Sequence, residues 1–275
     1  MTGTALSRFA ANRAAVAAAV VLAAAAGAAL GAPWIAPHDP LAIDLANSLA
    51  PASAAHPLGT DHLGRDTLSR LLYGARVSLG ISVVSIGAAA LVGVALGLAA
   101  AWHRGLVDAI FVRVMDVLLA FPDLLLAIAV VTVLGRSQMS VIVAVAVFSV
   151  PTIGRVTRAA ALGAVAGDHV LAARAAGAST TWILERHVLP LAVSPIVAQA
   201  TVMLGSAILL ASGLSFLGLG VQPPDPEWGA MLSRGRDMLR SAPLGAVAPG
   251  VAITLVALSF SLAGDGLRDA LDPKG

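Results

Sequence analysis

The chain has 275 residues, of which 58% are hydrophobic and 12% are charged, with a mean hydropathy of +0.90. Because a soluble domain carries about 25% charged residues, this composition excludes an ordinary soluble protein and indicates a polytopic membrane protein. The absence of cysteine excludes disulfides, thiolate metal sites and cysteine nucleophiles, and scattered basic residues with a net charge of +2 do not indicate a nucleic-acid partner.

Six stretches are apolar enough to cross a bilayer, which requires a helix of about 20 residues. They cover approximately residues 14–32, 79–102, 117–134, 141–161, 191–210 and 244–263. The sequence therefore predicts an all-α membrane protein with six transmembrane helices. An even number of spans places both termini on one side, and a modest excess of Lys and Arg on that side favours the cytoplasm.

These spans divide the chain into three regions. Residues 1–36 would hold a cytoplasmic tail and the first transmembrane helix, residues 37–77 an outer loop, and residues 78–275 a core of five transmembrane helices. Within the core we expect three segments outside the membrane. They are a cytoplasmic loop at 165–190, an outer loop at 214–242 and a cytoplasmic tail at 264–275.

The first outer loop ends in the string HPLGTDHLGRDTLSRLLYGARVSLGIS, residues 56–82. Asp61, Arg65 and Asp66 have the chemistry of loops and helix caps. Residues 67–73 are predicted to form a separate short helix at the membrane interface, where Tyr73 would act as an aromatic anchor.

Charged residues also occur beside and within the third span. Asp108, Arg113 and Asp116 follow one another at helical spacing, which predicts ion pairs within one helix near its cytoplasmic end. Asp123 follows Pro122 just inside the span. An intramembrane carboxylate usually faces an aqueous path or a partner, whereas one at the surface is solvated, and both interpretations remain open.

Pro151 interrupts the fourth span and is, with Asp123, a candidate for the translocation path. Proline removes one backbone hydrogen bond and can bend a helix. The bent helix could line a pathway or could serve helix packing.

A polar segment, DHVLAARAAGASTTWILERHVLP, covers residues 168–190 between two apolar spans. We predict a short helix with Asp168 as its N-cap, a turn at Gly177, and a second helix capped by Ser179 or Thr180 that ends at Pro190. Such a helix pair, exposed at a membrane surface, is suited to contact a partner protein. A DNA-binding helix-turn-helix also uses a glycine turn, but the closely flanking spans disfavour it.

The second outer loop contains LSFLGLGVQPPDPEWGAMLSRGRDML, residues 214–239. Pro223 and Pro224 follow a pair of glycines and cannot continue a spanning helix. Trp228 is predicted to lie in the interfacial aromatic belt, and a polar helix should then lead back towards the membrane.

Sequence patterns for common catalytic and metal sites are missing. The chain contains no GxxxxGK[ST] loop, no HExxH and no GxSxG elbow. Its six histidines are separated in sequence and predict no ligand cluster, so we expect neither a catalytic residue nor a metal site. They are His38, His56, His62, His103, His169 and His187.

Four stretches of the chain resemble signatures of one protein family. Ala172-Ala173, Gly177 and Leu189-Pro190 have the spacing of the EAA loop of ABC-importer membrane subunits, although Leu171 replaces its Glu and His187 its Ile. We place Leu171 third in its helix, where Glu would complete a capping box. The strings LGTDHLGRDTLSRLLYGARVSL, FLGLGVQPPDPEWGAML and GDGLRDALDP resemble signatures of the dipeptide, oligopeptide and nickel permeases.

This resemblance implies the type I ABC-importer permease fold in a bacterial inner membrane. The implied assembly contains this chain, a second homologous permease, two ATP-binding cassette subunits that hold ATP and Mg, and an extracytoplasmic substrate-binding protein. This chain itself would bind no cofactor. The implied coupling residues are Asp168, Leu171, Ala172, Ala173, Gly177, Leu189 and Pro190. The implied outer-loop candidates, facing the pathway and the binding protein, are Asp61, Arg65, Asp66, Pro223, Pro224, Glu227 and Trp228.

The implied cargo is a di- or oligopeptide. Nickel chelates, glutathione or another small solute are alternatives within the same class. An ion-coupled carrier, or an intramembrane hydrolase that uses Asp123 or a histidine, would be a different class.

Overall fold

The computed structural model describes residues 5–271. This part of the chain is helical and contains no β-strand. The helices are α1 (Ala5–Ala11), α2 (Arg13–Ile35), α3 (Thr67–His103), α4 (Gly105–Ala120), α5 (Asp123–Leu134), α6 (Gln138–Val165), α7 (Asp168–Ala175), α8 (Thr180–Ile183), α9 (Leu189–Phe216), α10 (Trp228–Arg236) and α11 (Leu244–Leu271).

Five helices in the described part are long and apolar enough to cross a membrane, and the bent pair α4–α5 gives a sixth when it is counted as one crossing. The five are α2, α3, α6, the continuous Thr180–Phe216 helix and α11. The third predicted span, residues 117–134, is not one continuous helix, because it covers the end of α4 and all of α5, which meet at an angle of 95°. Phe121 is extended there (φ −84°, ψ 138°), as expected for a residue that precedes proline.

Helices α3 and α6 form the closest pair, because glycine lets their backbones touch. A Cβ atom on Gly97 would lie 2.6 Å from the carbonyl oxygen of Gly154, and one on Gly93 would lie 3.0 Å from the Gly154 nitrogen. Gly93 and Gly97 are four residues apart and therefore share a face, the small-xxx-small arrangement of membrane helix pairs.

The two helices run in the same direction. Gly93 of α3 faces Gly154 of α6, and Ala101 further along α3 packs with Ala161 and Val165 of α6. Since α3 and α6 are parallel, the bent pair α4–α5 must return the chain to the opposite end of the bundle. This connection supports counting the pair as the sixth crossing.

The separate interfacial helix predicted at 67–73 is absent. These residues form the first two turns of α3, which continues for 37 residues. Asp66 caps this helix, because its carboxylate accepts a hydrogen bond of 2.7 Å from the Ser69 backbone N–H. Gly74 does not end the helix. The Trp228 ring packs against it, and the Cδ1 atom of that ring would lie 3.0 Å from a Cβ added at Gly74.

The second helix of the 168–190 segment does not end at Pro190. It continues from α8 through a π-helical turn, Leu184–Val188, into α9. The Leu189 N–H donates to the Leu184 carbonyl oxygen, five residues earlier. A wider turn of this kind lets the helix pass a proline, which lacks an N–H to donate.

Candidate coupling loop and outer-face network

The helix α7 begins one residue earlier than its predicted cap. Gly167 is the N-cap, with extended backbone (φ −76°, ψ 149°), and Asp168 is the first helical residue. Asp168 therefore does not cap α7; its negative charge lies instead at the positive end of the helix dipole. Leu171 becomes the fourth helical residue, so a Glu at that position would not complete a capping box.

The predicted turn at Gly177 is confirmed. Gly177 has φ +80°, its N–H donates to Arg174, and the Ala178 N–H donates to Ala173, both at 3.0 Å. These two bonds form a Schellman motif, which satisfies the last carbonyl groups of α7 and favours glycine. Ser179 then caps α8 by accepting from the Trp182 N–H at 3.4 Å.

One side of this helix–turn–helix is packed against the transmembrane bundle. Val170, Ile183 and Val188 are fully or almost fully buried, in a cluster with the adjacent ends of α3 and α6. The Arg174 guanidinium lies 4.1 Å from the centre of the Trp102 ring at the end of α3. The 168–190 segment is therefore in direct contact with the ends of α3 and α6.

The other side of the loop is open. Two large apolar side chains on it remain exposed, Leu171 at 57% and Trp182 at 47%. The remaining predicted coupling residues lie on or beside this surface. Asp168, Ala172, Gly177 and Pro190 are exposed, and Ala173 and Leu189 are partly buried.

The two path candidates occupy different environments. Asp123 is exposed at the first position of α5, directly after the break between α4 and α5. Pro151 is buried inside α6. The structure does not bring the two residues together in one site.

The charged residues near the third span pair across helices, contrary to the prediction of pairs within one helix. Asp108 of α4 binds Arg158 of α6 through both carboxylate oxygens, with 2.6 Å between Oδ2 and Nη2. Asp116 pairs with Arg155 of α6 through one carboxylate oxygen. Spacing along one helix could not reveal these partners, because they lie 50 and 39 residues away.

In the outer loop, Asp61 and Arg65 form a partly buried ion pair. The Asp61 Oδ2 atom is 2.8 Å from Arg65 Nε, and its Oδ1 atom accepts from the Leu63 and Arg65 backbone N–H groups. Burial disfavours the charged carboxylate, but these hydrogen bonds together lower the pKa of Asp61 below its ordinary value. The buried Arg70 reaches across the loop and donates to the Pro40 carbonyl oxygen at 2.8 Å.

Glu227 and Trp228 join α10 to α3. Glu227 is completely buried and accepts from Ser78 Oγ (3.1 Å) and from the Gly229 (3.0 Å) and Ala230 (2.8 Å) N–H groups. Burial raises its pKa. Trp228 is 3% exposed, which makes the prediction of an interfacial-belt residue wrong; α10 folds back onto α3 and covers the ring.

Pro223 and Pro224 remain exposed before α10. The Pro224 carbonyl oxygen is 3.5 Å from both terminal nitrogens of Arg70. The two outer loops therefore meet at Arg70, although they are separated by 154 residues.

The prediction that the histidines do not cluster is also wrong. The rings of His38 and His56 stack at 4.7 Å, beside the carboxylate of Asp66. His169 and His187 lie 5.8 Å apart in the 168–190 segment. Residues distant in sequence meet here through loop folding, which no spacing rule could anticipate.

Comparison with known proteins decides the family. Residues 93–274 match the model of the binding-protein-dependent transport system inner membrane component. The chain belongs to this family. Residues 1–52 match the N-terminal transmembrane domain of oligopeptide transport permease C. The protein is therefore an inner-membrane permease component of a binding-protein-dependent ABC importer, and a transport subunit rather than an enzyme.

Several curated relatives are similar over most of their length. The di/tripeptide transport system permease DppC of Pseudomonas aeruginosa is 44% identical, over 97% of this chain and 90% of the relative. The glutathione transport system permease GsiD of Pectobacterium atrosepticum is 49% identical, over 81% of this chain and 74% of the relative. The dipeptide permease DppC of Alkalihalophilus pseudofirmus is 44% identical, over 83% and 75%.

Among solved structures, a chain of the inward-facing methionine ABC transporter MetNI is similar, with a TM-score of 0.58. The match covers 74% of this chain and 96% of that chain at 19% sequence identity. At this identity the likeness establishes the fold alone, which is the type I importer fold expected from the resemblance. Importers of this kind work with ATPase and substrate-binding partners.

Proposed function

We propose that this permease imports short peptides. It would form half of the translocation pathway with a second homologous permease, and both termini would lie in the cytoplasm. ATP and Mg would be held by two ATP-binding cassette subunits, while a substrate-binding protein delivers the peptide to the outer face. The observation that carries the coupling part of this proposal is the two-faced 168–190 segment, packed on α3 and α6 on one side and exposed on the other; the cargo rests on the named relatives.

The exposed side has the chemistry of a docking surface. Leu171 and Trp182 place apolar area where the family's cytoplasmic partner would bind, and aromatic residues are enriched at protein interfaces. Asp168 and Arg174 add charges of both signs beside them. A hydrophobic centre with a polar surround is the usual anatomy of such an interface.

The packed side explains how movement would be transmitted. When the ATPases close on ATP, they would displace α7 and α8 together, because the Schellman turn joins the two helices rigidly. Buried Val170 and Ile183 and the Arg174–Trp102 contact would carry this displacement to α3 and α6. Since α3 and α6 are in backbone contact at Gly97, they would move as one unit and open the pathway to the other side.

The cargo class is supported by the relatives. Those quoted above are named for dipeptides, tripeptides and glutathione, which is itself a tripeptide derivative. Glutathione remains the alternative cargo, and no named relative above carries nickel. Asp123 and Pro151 stay candidates for the path; Asp123→Asn should change uptake or substrate range if it faces the pathway.

Site-specific photo-cross-linking tests the docking assignment. A photoreactive amino acid at Leu171, in the assembled complex, should form an adduct with an ATP-binding subunit that mass spectrometry identifies. Leu45, 68% exposed near the beginning of α3, is the matched control. Leu171 lies near the other end of α3, a 37-residue helix about 55 Å long, so Leu45 should give no such adduct.

Two results would count against the proposal. An intact complex that yields no ATPase adduct from Leu171 would remove the docking assignment. Uptake of a dipeptide by proteoliposomes that hold this chain alone, driven by an ion gradient without ATP, would replace the importer by a carrier. Uptake of glutathione but not of dipeptides by the full complex would change only the cargo.

A further inference from the structure

His38, His56 and Asp66 bring three ligand groups together on the outer face. The His56 Nδ1 atom is 3.0 Å from Asp66 Oδ1, and the His38 Nδ1 atom is 3.9 Å from Asp66 Oδ2. One ligand atom from each residue lies within 4.8 Å of the other two. The three residues come from separate segments, which are the turn after α2, the middle of the outer loop and the cap of α3.

We propose that these residues bind a divalent transition-metal ion of the zinc class. Imidazole and carboxylate are both ligands of zinc, and three protein ligands leave a fourth position for water. With ligand bonds of about 2.1 Å, neighbouring ligands of a tetrahedral zinc ion lie about 3.4 Å apart. The His56 Nδ1–Asp66 Oδ1 separation of 3.0 Å is close to this value, while ligand atoms of the three residues lie up to 4.8 Å apart, so the exposed His38 side chain would have to move inward for all three to share one ion.

Surrounding groups hold the ligands in place. The Ser69 N–H and hydroxyl both donate to Asp66 Oδ2 at 2.7 Å, which orients the carboxylate so that Oδ1 faces His56 Nδ1 at 3.0 Å. The backbone N–H of His38 donates to Ser69 Oγ at 3.0 Å, and the backbone N–H of His56 donates to Ser53 Oγ at 3.1 Å, which fixes the two main-chain positions. Hydrogen bonds to a ligating carboxylate, such as those from Ser69 to Asp66, are a regular part of metal sites.

Exposure and charge set the expected strength of the site. The His38 side chain is 41% exposed, whereas Asp66 is buried, so an ion can enter from solvent and keep a water ligand. The positive end of the α3 dipole lies at Asp66 and weakens cation binding. We therefore expect weaker binding than in closed structural zinc sites with four protein ligands. The bound ion would fasten the segment after α2 to the beginning of α3.

Zinc binding to the purified complex tests the site directly. The complete complex, prepared with a tag that contains no histidine and stripped of metal, is dialysed against Zn²⁺ and its zinc content measured. His38→Ala is compared with His62→Ala, which removes a histidine of the same loop that is not in the cluster. Loss of an outer-shell partner costs roughly 10–100-fold in metal affinity, so loss of the His38 ligand should weaken one site at least tenfold.

The control should bind as the wild type does, and excess Mg²⁺ or Ca²⁺ should not displace zinc. Co²⁺ provides a second measurement on the unaltered complex, because a tetrahedral site with two His and one Asp gives visible absorption bands. Equal zinc binding by His38→Ala and the wild type would overturn the proposal. Absence of such bands at stoichiometric Co²⁺ would also overturn it, whether or not His38→Ala assembles.

Discussion

Substitution of Gly177 tests whether the turn between α7 and α8 is required for coupling. Gly177 has φ +80°, and an added Cβ would meet no heavy atom within 4 Å. The cost of a side chain there is therefore conformational rather than steric. It is about 1–2 kcal/mol for an ordinary L-residue, and larger for a β-branched one such as valine.

This cost lowers the population of the intact turn. A penalty of 1–2 kcal/mol lowers the equilibrium constant for the intact turn by a factor of roughly 5–30, so Gly177→Val should lose peptide-stimulated ATPase activity and uptake by up to about this factor. Gly177→Asn should retain most of the activity, because asparagine tolerates positive φ. Gly163→Val is the matched control, since Gly163 is also exposed with open space around it but has helical backbone.

The assay compares uptake and ATPase activity of the four complexes in proteoliposomes. We expect uptake and ATPase activity to fall in the order wild type, Gly177→Asn, Gly177→Val, and to be unchanged in Gly163→Val. Wild-type coupling in Gly177→Val would refute the assignment of this turn to energy transmission. A similar loss in the control would show a general effect of valine near the membrane surface instead.

Three further predictions concern stability. Gly97→Ala should destabilise the bundle by about 1–3 kcal/mol, because its Cβ would lie 2.6 Å from the α6 backbone. Gly87→Ala is the control and should not destabilise the bundle, because an added Cβ there meets no heavy atom within 4 Å; thermal unfolding in detergent measures both. Trp228→Phe keeps a buried aromatic ring but loses the indole hydrogen bond of 3.0 Å, so it should lower the free energy of unfolding by about 0.5–1.5 kcal/mol. Trp34→Phe, at a position that is 83% exposed, should lower it little in the same measurement. Asp61 has a lowered pKa in the folded protein, so its charged form contributes stability that is complete above the ordinary value of 3.8 and is lost as pH falls through the lower folded value. Asp61→Asn should therefore flatten part of the acid-induced loss of stability as pH falls through and below 3.8, and an unchanged pH profile would contradict this assignment.

The failures of prediction have particular physical causes. Residues 67–73 carry polar groups that suit a membrane interface, but in the structure Asp61 pairs with Arg65 and Trp228 covers Gly74. Those contacts bury or partly bury residues 67–75 within the protein and so stabilise them as the beginning of α3. The charges near the third span were expected to pair along one helix. They pair instead with arginines of α6, because the parallel packing of α3 and α6 places α4 beside α6.

The amino-acid sequence by itself determined the membrane class, the number of crossings, the glycine turn at Gly177 and the family resemblance. These features depend on local quantities, namely the length of apolar runs, the backbone freedom of glycine and the order of residues in a motif. The tertiary structure decided the 95° bend, the burial of Glu227 and Trp228 and the cluster of His38 with His56 and Asp66. Each of these depends on contacts between segments far apart in the chain, whose free energy exists only after the helices have packed.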